Sequence, residues 1–195
     1  IGVKGNGMAM LAGAALVRAA TGEMAEDAVL GGAEMHAQTT GLVEYLAEDD
    51  AHGIEIARDL VSRLNWNQRC GVAAAAPFQE PEVSAEDIAG VVPVDYRKPY
   101  DVCEVVARVV DGSDFVPFKP DYGPATVCLR ARVFGRDVGI VGNNGPIDPN
   151  GATKVTHFLQ TCDQAEVPVV FLNNTTGYMV YAEVRNQTLL IARFR

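Results

Sequence analysis

Apolar positions fall into two patterned blocks separated by a stretch with no period. In the first block Met8 to Leu11 reads as a strand and Ala14 to Ala20 as a short helix closed by Gly22, a residue that tolerates the left-handed conformation of a helix stop. Asp49-Asp50 then opens a second helix, acidic residues suiting the positive end of its dipole. Ile54, Ala57, Leu60, Val61 and Leu64 share one face of that helix. Residues 67–99 hold Pro77, Pro81, Pro93 and Pro99 and a run of alanines. They read as a connector with at most a helical turn near Ser84-Ala85-Glu86-Asp87. So long a connector inside a compact domain is unusual, so it marks a boundary between residues 1–66 and 100–195.

The second block is the more regular. Val102, Val105, Val106 and Val109 predict an amphipathic helix, Phe115 to Phe118 and Thr126 to Phe134 two strands. Gly135-Arg136-Asp137 predicts a hairpin turn into Val138 to Val141. That strand runs into Gly142-Asn143-Asn144-Gly145-Pro146; a helix over roughly Ala152 to Glu166 follows. A second apolar run, Val167 to Leu172, ends at Asn173-Asn174-Thr175-Thr176-Gly177-Tyr178. Strand, crossover helix and strand make an α/β unit with a polar, glycine-containing loop at the carboxyl end of each strand, the end at which such units hold ligands.

Composition narrows the classes. Apolar residues make up 48% and charged residues 21% of 195, a globular balance. No apolar run approaches the roughly 18 residues of a membrane span, and no signal peptide is recognised. The net charge of −9 argues against nucleic acid as partner. Cys70, Cys103, Cys128 and Cys162 form no Cys-x-x-Cys pair, and read as reduced core thiols of a cytoplasmic protein. His36, His52 and His157 have no metal-ligand spacing, so no metal is expected on this chain. Gly5-Asn6-Gly7 is too short for a dinucleotide fingerprint, and there is neither a Walker-type loop nor a Gly-x-Ser-x-Gly elbow.

Among the residues with chemistry to offer, Arg18 to Glu23 reads first as a helix end, with a cation near the carboxyl terminus and a glycine stop. Asn143-Asn144-Gly145-Pro146 reads as a tight turn. Asp148 to Lys154 leads into a helix whose amides could form an anion nest. Lys154, placed in that first turn, opposes the helix dipole, which points to use on a phosphate or carboxylate.

Several segments carry a wider resemblance in order: Leu16-Val17-Arg18-Ala19-Ala20-Thr21-Gly22-Glu23, Leu30-Gly31-Gly32-Ala33-Glu34-Met35-His36, Tyr100-Asp101-Val102, Gly139 to Gly145, and Asn174-Thr175-Thr176-Gly177-Tyr178. The chain resembles the carboxyltransferase (beta) subunit of biotin-dependent acyl-CoA carboxylases. The methylcrotonyl-CoA and geranyl-CoA carboxylase branch fits best, and Glu44 to Asp50 after the Gly-Gly-Ala-Glu-Met-His run leans to the geranyl type. The resemblance implies two crotonase-like (ββα spiral) lobes, both incomplete here: residues 1–66 on the acyl-CoA side and 100–195 on the biotin side. It implies carboxybiotin on a partner biotin carboxylase/biotin carboxyl carrier (alpha) subunit, an acyl-CoA substrate, and a homo-oligomeric, hexameric core. It places coenzyme A or biotin against Arg18, Ala19, Gly22, Asn144, Gly145, Lys154 and Tyr178. The backbone of Thr176 and Gly177 would line the biotin-side catalytic loop.

The implied reaction moves CO2 from carboxybiotin to an α,β-unsaturated acyl-CoA. It needs no side-chain nucleophile, only donors for two developing oxyanions, each worth about 10²–10³ in rate. Neither of the family's two principal oxyanion-hole loops falls within this chain. With Ile1 opening inside an apparent strand, this implies an internal excerpt, inactive alone. Tyr181 to Gln187 departs from the family pattern, and residues 181–195 receive no functional reading. Alternatives of other kinds are a propionyl- or acetyl-CoA-type carboxyltransferase, a biotin-dependent acyl-CoA decarboxylase and a non-catalytic acyl-CoA-binding scaffold. The compartment implied is the cytoplasm, or the mitochondrial matrix in a eukaryote.

Overall fold

A computed structural model describes residues 1–63, 77–95 and 98–172. The chain divides into two compact units, one of residues Ile1–Ala73 with Lys119–Tyr122, the other of Ala74–Phe118 with Gly123–Arg195.

In the first unit, β1 (Gly2–Val3) pairs in parallel with β2 (Leu46–Ala47). Between them lie α1 (Ala14–Thr21), α2 (Asp27–Gly31), α3 (Ala33–Met35) and a π-helical turn over His36–Thr40. Its interior is small-residue packing: Ala33, Ala37 and Ala47 are buried. Gly41, at φ +67°, turns beneath the Tyr122 ring, which a side chain there would meet at 2.9 Å. Lys119 is buried and donates to the Gly41 carbonyl at 2.5 Å.

Met8 to Leu11 does not form the expected strand. Met8 makes only an isolated bridge to Gly32 and Ala9 N–H donates to Gly31 O at 2.8 Å. The segment's neighbours are the short turns α2 and α3, so no extended ladder is available to it. The helix α4 (Asp50–Ser62) starts where expected, with Asp49 as N-cap accepting from His52 N–H. Its apolar face is open: Ile54 and Val61 are exposed, lining with Ala57 a shallow groove. Leu64, the last residue of that face, lies outside the described residues.

The second unit is a four-stranded sheet of β3 (Phe115–Pro117), β4 (Thr126–Val133), β5 (Arg136–Asn143) and β6 (Val169–Leu172), in that order. β3–β4 and β4–β5 are antiparallel, β5–β6 parallel. Period-two alternation sorts its core. Leu129, Ala131, Val138 and Ile140 pack with Val106 and Val110 on the face of α6 (Val102–Ala107). Cys128 and Val141 pack with Phe158 and Cys162 of α7 (Pro149–Gln164) on the other. Val109, expected on the inner face of α6, is half exposed beyond the helix end, and Val110 takes the core position. The connector's helical turn is a 3-10 turn (Ala85–Asp87) running into α5 (Ile88–Val91).

The hairpin turn sits earlier than expected. Phe134 and Gly135, at φ 51° and 72°, form a two-residue loop between paired Val133 and Arg136. This is the left-handed geometry that suits a twisted hairpin, unfavourable for phenylalanine. Asp111, buried, accepts the Phe134 and Gly135 N–H groups at 2.8 and 2.6 Å, and the Phe134 ring lies 5.0 Å from that of Phe78. Asp111→Ala strands two amide donors and is expected to cost about 2–4 kcal/mol. The expected reading in urea denaturation of the full-length subunit is a lower midpoint at unchanged slope.

Candidate functional site

The geometry centres on the carboxyl end of β5, where the chain leaves the sheet for α7. The Asn143 side chain, buried, turns back and donates from Nδ2 to Gly145 O at 2.9 Å. Asn144 faces α6: its Oδ1 accepts Val102 N–H at 2.8 Å, and its Nδ2 donates to Asp101 Oδ1 at 3.1 Å. Asp101 is itself the N-cap of α6, accepting Cys103 N–H at 3.0 Å. Asn144 N–H donates to Ala125 O at 2.9 Å. The Asn144 side chain is therefore committed to the protein, and the loop's offering to a ligand is backbone. The Gly145 N–H donates to no described residue. A Cβ at Gly145 would find only Ala125 Cβ, at 3.9 Å. That small, open, donor-bearing position is compatible with a planar acceptor such as a biotin ureido group or a thioester oxygen.

Lys154 lies deeper in its helix than the sequence suggested. α7 begins at Pro149, capped by Asp148, which accepts Gly151 N–H at 2.5 Å. Lys154 thus lies in the second turn and is 1% exposed. Its ammonium donates to Gly123 O at 3.2 Å. The cation does stand near a helix start, but the carbonyl it donates to, that of Gly123, is 31 positions away in sequence.

In the first unit Arg18 and Ala19 are exposed on α1, and Gly22 closes it at φ 79°, donating to Arg18 O at 2.9 Å. Arg18 has no ion pair or side-chain hydrogen bond to a described residue. Lys4 is paired with Glu48, which raises its pKa. His36 is buried and satisfied, with Nδ1 at 2.8 Å from Thr40 Oγ1 and Nε2 at 2.6 Å from Ala9 O, as suits a structural histidine. Desolvation pushes the Cys103 thiol up to about 11 and the Cys128 thiol up to about 12, so neither is an activated nucleophile. Among the described residues no cluster of metal-ligating side chains is present, and no helix is long and apolar enough to cross a membrane. Thr176, Gly177 and Tyr178, the expected biotin-side loop, and Cys70 lie outside the described residues.

A four-stranded sheet backed by helices on both faces is a mixed α/β architecture. Residues 1–190 match the carboxyl transferase domain, and the chain belongs to that family. It is 44% identical over 178 residues to the mitochondrial methylcrotonoyl-CoA carboxylase beta chain of Dictyostelium discoideum, covering 91% of this chain and 30% of that protein. It is 41% identical over 183 residues to the Arabidopsis thaliana counterpart, covering 91% and 31%. Among solved structures it is similar to the beta subunit of P. aeruginosa geranyl-CoA carboxylase, at 46% identity and a TM-score of 0.56, covering 96% of this chain and 35% of that one. The mixed helix and strand fold is thus that of the crotonase-like carboxyltransferases. The chain spans about a third of the length of these relatives.

Proposed function

We propose that this chain is part of the carboxyltransferase component of a biotin-dependent acyl-CoA carboxylase, acting on an α,β-unsaturated acyl-CoA of the geranyl or 3-methylcrotonyl type. The observation that supports the reading is the loop at the end of β5, where the Gly145 N–H has no acceptor among the described residues while both asparagine side chains hold the loop's shape. A preorganised amide aimed at developing negative charge is what this chemistry requires, and it dispenses with a nucleophile. When bound, carboxybiotin on the alpha subunit supplies the CO2 and a nitrogen to receive the substrate proton. This chain's residues orient and stabilise. Gly145 N–H offers a hydrogen bond at the biotin side, and exposed Arg18 offers charge to a coenzyme A phosphate on the other unit. Residues 1–66 are assigned to the acyl-CoA lobe, 67–99 to a connector and 100–195 to the biotin lobe. Thr176, Gly177 and Tyr178 are assigned to the biotin-side loop, and Ala19 and Gly22 to the coenzyme A segment. The working form is a homo-oligomer with its alpha partner, in the cytoplasm or the mitochondrial matrix.

The test is carboxylation of acetyl-, propionyl-, 3-methylcrotonyl- and geranyl-CoA by the full-length subunit with its biotinylated partner, ATP and labelled bicarbonate. The expected outcome is a kcat/KM for geranyl- or 3-methylcrotonyl-CoA at least tenfold above the saturated substrates. Equal turnover of all would remove the substrate class, and no turnover with a charged partner would remove the function.

A further inference from the structure

The loop that ends β5 is not held by its own residues alone, and the chain of contacts behind it leads to a buried charge. Asn144 N–H is bonded to Ala125 O at 2.9 Å. Ala125 belongs to the tight turn Gly123–Thr126, closed by Thr126 N–H on Gly123 O at 3.0 Å. The same Gly123 carbonyl accepts the Lys154 ammonium at 3.2 Å. The turn cannot drift toward α7, because Gly123 already runs against its backbone: a Cβ there would lie 2.6 Å from Gly151 N. It cannot rise away without breaking the lysine contact. From the opposite side Asn144 is tied to Asp101 and to Val102 N–H at the start of α6. The loop therefore hangs between two supports, and at the α7 support Lys154 holds the turn carbonyl while Asp148 caps Gly151 N–H.

Burying an ammonium is expensive unless it is well paired. A methionine would fill a similar volume at lower desolvation cost. Packing alone thus does not account for a lysine 1% exposed. A fixed cation on a turn carbonyl does give directional hold on that turn.

We propose that Lys154 is a positioning residue for the biotin-side loop: its buried ammonium anchors the Gly123–Thr126 turn, and that turn holds Asn144 and with it the Gly145 amide. This rests on the functional reading above for its catalytic consequence, but the mechanical linkage stands or falls separately. Lys154 does not touch the ligand; it acts through Gly123, Ala125 and Asn144. Loss of the anchor leaves α7 and the sheet in place and loosens the donor, which lowers the rate of transfer and not the affinity for acyl-CoA.

The experiment uses the full-length subunit with its biotinylated partner, comparing wild type, Lys154→Met, Lys154→Arg, Asn144→Ala and Lys154→Met with Asn144→Ala. Hydrogen exchange reads the linkage without reference to activity. Lys154→Met is expected to speed exchange of the Asn144 amide at least tenfold, while amides in the middle of β4 and β5 keep their protection. In the carboxylation assay Lys154→Met and Asn144→Ala each lower kcat about ten- to hundredfold, with KM for acyl-CoA within twofold. The double variant is no worse than twofold below the poorer single, since both break one chain of contacts. Lys154→Arg, which keeps the cation, recovers most of the loss. Unchanged exchange at Asn144 in Lys154→Met overturns the linkage, whatever the activity. Faster exchange with unchanged kcat keeps the linkage and overturns its catalytic role. Multiplicative losses in the double variant overturn the shared path. If Lys154→Met does not fold, Lys154→Arg and Asn144→Ala carry the test, and a fall in kcat for Lys154→Arg as large as that for Asn144→Ala overturns it. Wild-type enzyme inactive on every acyl-CoA, with the exchange result intact, removes the function and leaves the anchor.

Discussion

Gly123→Ala should cost the full-length subunit about 3 kcal/mol. Two effects add at this position. Its φ of +54° is one that alanine adopts at a cost of roughly 1–2 kcal/mol. The added methyl would also stand 2.6 Å from Gly151 N, 2.8 Å from its Cα and 2.9 Å from the Asn150 carbonyl carbon. These are main-chain atoms in the first turn of a sixteen-residue helix, so no rotamer change relieves them. Gly151→Ala makes the instructive contrast. Its methyl would meet Thr126 Oγ1 at 2.1 Å and Thr126 Cβ at 2.9 Å, a side chain and not a backbone. The Thr126 hydroxyl is buried without a hydrogen-bond partner, so removing it leaves no donor stranded. Thr126→Ala should therefore restore most of the stability lost in Gly151→Ala and none of that lost in Gly123→Ala. Urea denaturation of the four variants measures this, and equal rescue of both would show that the two backbones do not cross as closely as described.

The physics that was visible in the chain was local. Alternation over Thr126 to Phe134 and the apolar run after Arg136 marked the hairpin, and the Gly-rich loop, helical period and second apolar run marked β5, α7 and β6. Asp49 and Gly22 marked helix ends because a cap acts within a few residues of itself. What stayed hidden depended on partners far along the chain. The turn was placed after Phe134 and not at it, because the supports of Phe134, Asp111 and Phe78, lie 23 and 56 positions away. Met8 to Leu11 had the pattern of a strand but no neighbouring strand to complete it. At the site, the sequence read a turn from Asn143, whereas β5 runs on through Asn143, and it could not tell that Asn144 spends its side chain on α6, 42 positions back. Lys154 was noticed because its charge opposes the helix dipole, whereas its bond to the Gly123 carbonyl, 31 positions back, was not legible. Residue type and spacing report what a side chain can do; only the fold says which atom it is doing it to.

Arg18→Ala should raise KM for acyl-CoA about tenfold in the full-length enzyme, with kcat within twofold. Arg18 is in the last turn of α1, exposed, with its side chain committed to no described residue. Part of its charge offsets the negative helix end, an effect of about 0.3–1 kcal/mol that stays with the protein. The remainder is available to a phosphate, and an exposed charge-assisted contact of roughly 1.4 kcal/mol corresponds to the tenfold expected. Two controls separate these roles. With an acyl-N-acetylcysteamine thioester, which has the reacting group but no phosphates, wild type and Arg18→Ala should perform alike. Raising ionic strength should increase the wild-type KM for acyl-CoA toward that of the variant, because screening removes the same interaction as the mutation. A tenfold loss that persists on the truncated thioester would instead mean that Arg18 supports the shape of α1, and that coenzyme A finds its charge elsewhere.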